Sequence, residues 1–310
     1  MIFALRAILV SLAFFSILYG VLSLSLVLTW RLLRFFRIEK RFTPGGLLAL
    51  RLSPFAISAG ISLCFTLPSF LLFERHSLDE DMGTFLLAGC AALILGAGIC
   101  RVLVAEVRTR RITSRFSQGA VPLEGGPGVL ELIAPHSVIP MMLVGIRVPR
   151  ILISAAARKV LSQGELRAAV RHETAHLRSR DNLKKAIFNC LPFPGLASLE
   201  RTWQEASELA ADARAVSSRD EALDLAAALI KLARHFPCEA APALATGLVS
   251  AVDSVTVRVE HLVAWKKTSA TRRDKWRCLI GPALLAFFGF IAKLGPALAL
   301  VHSITERLVP

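Results

Sequence analysis

The sequence predicts a multi-span α-helical membrane protein with a small α+β domain inserted before the last span. Three observations carry that reading. The 310 residues are 54% hydrophobic and only 19% charged, which is too apolar for a water-soluble chain. Four stretches, residues 8–28, 52–73, 84–104 and 279–301, reach the roughly 20 apolar residues that cross a hydrocarbon core, and none contains Asp or Glu. Between the third and the fourth lies a long segment of mixed polarity whose pattern passes from short strands to amphipathic helices.

The first apolar run follows Arg6 but is too long for a signal peptide and lacks a small-residue cleavage site, so it is expected to stay as an anchor. Its C-terminal flank carries Arg31, Arg34, Arg37, Lys40, Arg41 and Arg51 against Glu39 alone, the mark of a cytoplasmic loop. The next loop inverts the sign, with Glu74, Asp79, Glu80 and Asp81 against Arg75. The basic set returns after the third run as Arg108, Arg110, Arg111 and Arg115, and again before the fourth as Lys266, Lys267, Arg272, Arg273, Lys275 and Arg277. The expected organisation is a three-span region over 1–104, a cytoplasmic domain over 105–277, and a fourth span with a short tail over 278–310. Both termini then face out, and the expected location is the bacterial inner (plasma) membrane. The net charge of +14 is concentrated at these membrane edges, so the expected polyanion is the anionic leaflet of the lipid bilayer and not a nucleic acid. Lys293, inside the fourth run, is expected to snorkel to the outer face. Cys64, Cys90, Cys100, Cys190, Cys238 and Cys278 show no paired spacing and read as small buried apolar residues, which excludes a disulfide-stapled secreted domain.

In the central domain, Gly119, Pro122, Gly125, Gly126, Pro127 and Gly128 predict a flexible entry linker. Residues 129–133, 141–146 and 150–154 then read as short strands. Ser162 and Glu165 form a capping box, in which serine and carboxylate satisfy each other's free amide donors, and a helix follows. On it stand His172, Glu173, Thr174, Ala175 and His176, the HExxH spacing. Residues four apart share a helix face, so the two imidazoles converge on one point and can hold Zn²⁺, while Glu173 lies close enough to serve as the general base. A second polar helix over 199–217 offers Glu205, Glu208 and Asp212 on one stripe. Glu208 is the expected third ligand, with Glu205 as the fallback, and Asp212, one turn on, is expected to orient His172 or His176 through its other ring nitrogen.

The HETAH run, followed by Arg180-Asp181-Asn182-Leu183, a turn with Pro192 and Pro194, and then Glu208-Leu-Ala-Ala-Asp212, resembles the integral-membrane zinc metallopeptidases typified by the beta-lactam sensor-transducer and antirepressor proteins. The stretch from Pro140 to Ile151 and the placing of the domain between the third and fourth spans are similar too. The resemblance implies a zincin-like (gluzincin) domain with His172, His176 and Glu208 on zinc and Glu173 as base, cleaving a cytoplasmic protein substrate such as a transcriptional repressor, or itself. It also points to an oxyanion donor, for which Arg258, His235 and His261 are the candidates. The family's extracellular penicillin-binding domain has no counterpart in the nine residues after Val301, so direct beta-lactam sensing is not expected. Two other readings compete. One is a prenyl-protein or quality-control membrane metallopeptidase. The other is a non-enzymatic transducer with a structural zinc site. The oligomeric state is left open.

Overall fold

The computed structural model describes residues 2–39, 42–73, 82–116, 121–122, 130–134, 139–146, 149–236, 245–247, 252–266, 299–301 and 303–304. Among these, three helical segments are long and apolar enough to cross a membrane: Leu5–Phe35, Pro44–Leu72 and Met82–Arg111. The first lies in α1 (Ile2–Phe35). The second is α2 (Pro44–Ile61), continued through the wide turn Ser62–Thr66 into α3 (Leu67–Phe73), and the third lies in α4 (Met82–Phe116). Their outer faces are apolar, with Leu24, Leu63, Leu86, Leu93 and Leu103 more than half exposed, as expected for helices solvated by lipid. Most of the expected fourth span, with Lys293, Cys238, Cys278 and most of the glycine-proline linker, lies outside the described residues.

Two details differ from expectation and one extends it. Cys64, Cys90 and Cys100 are free and exposed on the apolar helices, where the lipid-facing surface suits a weakly polar thiol as well as a core does. The helix that holds the apolar stretch 84–104 runs on to Phe116, a length the sequence leaves open; Glu106 accepts from Arg110 at 2.7 Å one turn on and good helix formers carry it beyond the apolar band. Arg51, counted among the loop cations, is 1% exposed within α2. Its Nε donates to Glu200 at 2.9 Å and its Nη2 to the Leu191 carbonyl.

The central domain contains a five-stranded sheet of order β1-β2-β4-β3-β5, formed by Val121–Pro122, Leu130–Ala134, Met141–Val144, Arg150–Ser154 and Ala245–Gly247 as β1 to β5. It is mostly antiparallel; only β2 and β4 run parallel. The helices are α5 (Ala155–Val160), α6 (Gln163–Ser179), α7 (Asp181–Cys190), α8 (Ala197–Ala215), α9 (Arg219–His235) and α10 (Val252–Val263). The capping box forms at the start of α6, with Glu165 N donating to Ser162 Oγ at 3.3 Å and Ser162 N to Glu165 Oε2 at 2.8 Å. Met141, Leu143, Ile151 and Ile153 of the sheet pack with Ala168 and Ala169 of α6 and with Leu225, Leu229 and Leu232 of α9. That core holds α6 rigidly against the sheet.

The turn between α7 and α8 enters the membrane helices. Leu26, Val27 and Trp30 of α1 and Leu47 of α2 form one buried cluster with Phe188, Leu196, Leu199 and Trp203. Phe193, in the turn, meets Tyr19 of α1 edge-on at 5.8 Å between ring centres. Close approach is permitted by glycine at two places. A Cβ at Gly98 of α4 would overlap the Cys190 carbonyl, and one at Gly195, whose φ is +89°, would press on Val27 at 3.0 Å.

Candidate metal centre

α6 and α8 pack side by side, and α6 turns His172 and His176 toward Glu208 of α8. The two Nε2 atoms are 3.1 Å apart, His172 Nε2 lies 3.4 Å from Glu208 Oε2, and His176 Nε2 lies 3.5 Å from Glu208 Oε1. These residues are the described group able to hold a metal ion. Zinc bonds of about 2.0–2.2 Å in a tetrahedron require ligand atoms about 3.3–3.6 Å apart. The observed triangle has nearly those edges, and two imidazoles with one carboxylate are a donor set suited to zinc.

Each imidazole is fixed through its other nitrogen. His172 Nδ1 is 2.8 Å from Asp212 Oδ1, and His176 Nδ1 is 2.7 Å from Asp181 Oδ2. An Nδ1–H donated to a carboxylate leaves the Nε2 lone pair pointing into the cluster. Asp181, the first residue of α7, also accepts from Lys184 Nζ at 2.7 Å and Ser207 Oγ at 2.9 Å. Arg258 of α10, 1% exposed, donates to both oxygens of Asp212 at 2.7 Å, and its Nη1 stands 3.1 Å from Glu208 Oε2. Glu173 is fully buried beside the pair.

Electrostatics follow from this enclosure. Burial alone would raise the Glu208 carboxyl, but the Arg258 charge and the two imidazoles hold it well below the usual carboxylate range. Asp212 is lowered in the same way, its bond to Arg258 outweighing burial. Burial disfavours charge on His176, yet its bond to Asp181 and the Glu208 carboxylate push it up to about 10. Glu173 moves the other way, because burial raises its carboxyl more than the neighbouring imidazoles lower it. One cluster thus holds an anionic carboxylate on α8 and a proton-seeking one on α6.

The family model described as BlaR1 peptidase M56 matches residues 131–262. Over those residues the chain is similar to that family. The matched residues run from β2 to the end of α10 and include every residue of the cluster. No curated protein matches the chain. The match suggests a membrane metallopeptidase, in keeping with the three apolar helices that precede it.

The remaining candidates from the sequence are placed as follows. Glu205 is exposed at the edge of the face that α8 buries. His235 is exposed at the end of α9, its Nδ1 bonded to the Lys231 carbonyl at 2.8 Å, and His261 is exposed on α10. Arg258 reaches the cluster, but its guanidinium is engaged by Asp212 and Glu208. Asp181 was read only as part of a motif. Its position five residues after His176, just past the end of α6, was the signal for its bond to that imidazole. Asn182 was missed likewise. It donates to the Leu143 and Gly145 carbonyls at 3.2 and 3.1 Å and so ties the start of α7 to β3.

Proposed function

We propose that this chain is a zinc endopeptidase of the bacterial inner membrane, with four spans, both termini outside and its catalytic domain in the cytoplasm, and that it cuts a cytoplasmic protein such as a transcriptional repressor. The observation that carries the zinc reading is the triangle of His172, His176 and Glu208, with each imidazole backed by its own aspartate. Zinc held by those three residues would supply Lewis acidity toward a scissile carbonyl and would acidify water.

The chain's own residues do the rest. Glu173 accepts a proton on its carboxylate and returns it to the leaving amine. Burial raises its proton affinity, which favours its taking up that proton. Asp212 and Asp181 keep the imidazoles in one tautomer. Arg258 neutralises part of the charge of Glu208 and Asp212, which allows two carboxylates to remain ionised in a closed site.

A self-processing activity is favoured by β5. Met142, Leu143 and Val144 of β3 pair antiparallel with Gly247, Thr246 and Ala245, so a strand of the chain itself runs along β3, the strand tied to α7 by Asn182. Peptides add to sheet edges in this manner. Replacing Thr246 by proline removes an amide from that strand and is expected to change the rate at which the chain cuts itself.

The direct test uses purified full-length protein in detergent with casein as an unfolded substrate. Cleavage is expected to stop with 1,10-phenanthroline and to return on adding about one equivalent of zinc. A chain that holds zinc yet cuts neither casein nor itself supports a structural zinc site in a transducer.

A further inference from the structure

We propose that the cavity beside His176 is a substrate subsite that takes an apolar side chain, and that Arg180 at its mouth selects for a carboxylate on the same peptide. This inference rests on the peptidase reading. The cavity has a volume of about 280 Å³, and His176, Arg180 and Asp181 are among the residues that line it. It is too small for a folded element but has room for one or two side chains. Its walls are apolar at Leu143, Ile146, Pro149, Leu177 and Leu183, and it reaches a ligand of the metal cluster. An apolar side chain seated there lies against His176.

The charge at the mouth is unbalanced. Asp181 lines the same cavity, but its carboxylate is already taken by His176, Lys184 and Ser207. Arg180 is exposed, and its guanidinium has no acidic partner among the described residues. Its backbone adds an independent observation. Arg180 ends α6 and begins α7 with φ at +55°, one of two non-glycine residues in the left-handed region among those described. Glycine or asparagine adopts that conformation more readily. The chain places arginine there instead, so the side chain is kept at a position where the backbone disfavours it, beside the active cluster. A carboxylate is its complement, because a guanidinium fork pairs with both oxygens. That carboxylate is either an Asp or Glu side chain near the apolar residue or the C-terminus of a substrate.

The test measures binding to full-length Glu173→Gln protein in neutral detergent, so that it does not depend on turnover. The probes are fluorescein-labelled hexapeptides with Leu or Gly at the central position and Glu, Gln or Lys next to it, each with a free or an amidated C-terminus. The Leu-Glu peptide is expected to bind about three- to tenfold more tightly than Leu-Lys at low salt, and the gap should shrink in 0.5 M NaCl. Loss of the Glu preference with retention of a free-C-terminus preference assigns the carboxylate to the substrate's end. Arg180→Gly removes the cation and relieves the backbone, so its thermal midpoint should not fall while selectivity drops to within about twofold, and Arg180→Glu should favour Lys. Equal binding of Glu, Gln and Lys peptides with either terminus, or selectivity unchanged in Arg180→Gly, overturns the inference. So does unchanged peptide selectivity with weaker retention of anionic lipid, which would make Arg180 a headgroup contact. Failure of the peptidase reading shows elsewhere, as selective binding by a wild type that cuts nothing.

Discussion

Asp181 and Asp212 do the same work for different imidazoles, and single substitutions separate them. Asp181→Asn and Asp212→Asn are each expected to weaken zinc affinity about 10–100-fold, read by competition with a chelator dye. Asp212→Asn should also lower the unfolding midpoint, because it takes an acceptor from buried Arg258. Arg258→Met leaves Asp212 and Glu208 without their cation and is expected to cost about 3–5 kcal/mol. Thermal unfolding measures this, and a midpoint equal to wild type would show the pairing to be idle. At this scale the sequence disclosed what helix geometry dictates: His172, Glu173 and His176 on one turn, and Glu208 and Asp212 one turn apart. It did not disclose which imidazole Asp212 serves, or that Asp181 serves the other, since those follow from how α6, α7 and α8 pack. Arg258 was visible as a cation late in the domain, but its ion pairs depend on α10 crossing α8, and nothing local to the sequence encodes that.

The α7–α8 hairpin joins two regions that the linear sequence keeps apart. At one end Asp181 and Glu208 stand in the metal cluster; at the other, Phe193, Leu196 and Trp203 are packed among α1 and α2. Gly98→Val is expected to destabilise the chain by about 1–3 kcal/mol, because α4 cannot back away from the Cys190 carbonyl without disturbing that packing. The measurement is thermal unfolding in detergent, and an unchanged midpoint would mean that α4 does not press on the domain. A second element-scale prediction concerns the junction of α6 with α9. Glu221 accepts from Arg171 and from Ser217, and these bonds lower its carboxyl from 4.5 to about 2. A depressed folded value stabilises above the unfolded one, so this contribution is present above about pH 4.5 and disappears as pH falls toward 2. It is a small effect at a largely exposed pair. Unfolding midpoints of wild type and Glu221→Gln should differ at pH 6 and converge near pH 2. The helices themselves were legible from hydropathy and the capping box. The hairpin's entry into the membrane helices was not, since Leu-Pro-Phe-Pro-Gly reads as an ordinary turn and Arg51 reads as a loop cation until Glu200 is seen beside it.

Across the whole molecule, the apolar helices and the central domain form a continuous packed body, with α1, α2 and α4 all in contact with the domain. Topology is tested by labelling single cysteines with an impermeant maleimide in intact cells, in a background where the native cysteines are replaced. A cysteine in the loop between α3 and α4 should label from outside, and one at exposed Arg178 only after permeabilisation. Labelling at Arg178 in intact cells would invert the orientation. Length and apolarity alone made the three described spans readable, because a bilayer imposes one requirement on every helix that crosses it. The central claim, that this chain is a zinc peptidase with Glu173 as its base, has one most direct measurement: zinc content and casein cleavage determined together on Glu173→Gln. Glutamine keeps the shape of the side chain but cannot accept a proton, so the account predicts about one zinc per chain and cleavage reduced by orders of magnitude, on the order of 10²-fold or more. Zinc lost from the variant, or cleavage at the wild-type rate with zinc retained, would contradict it.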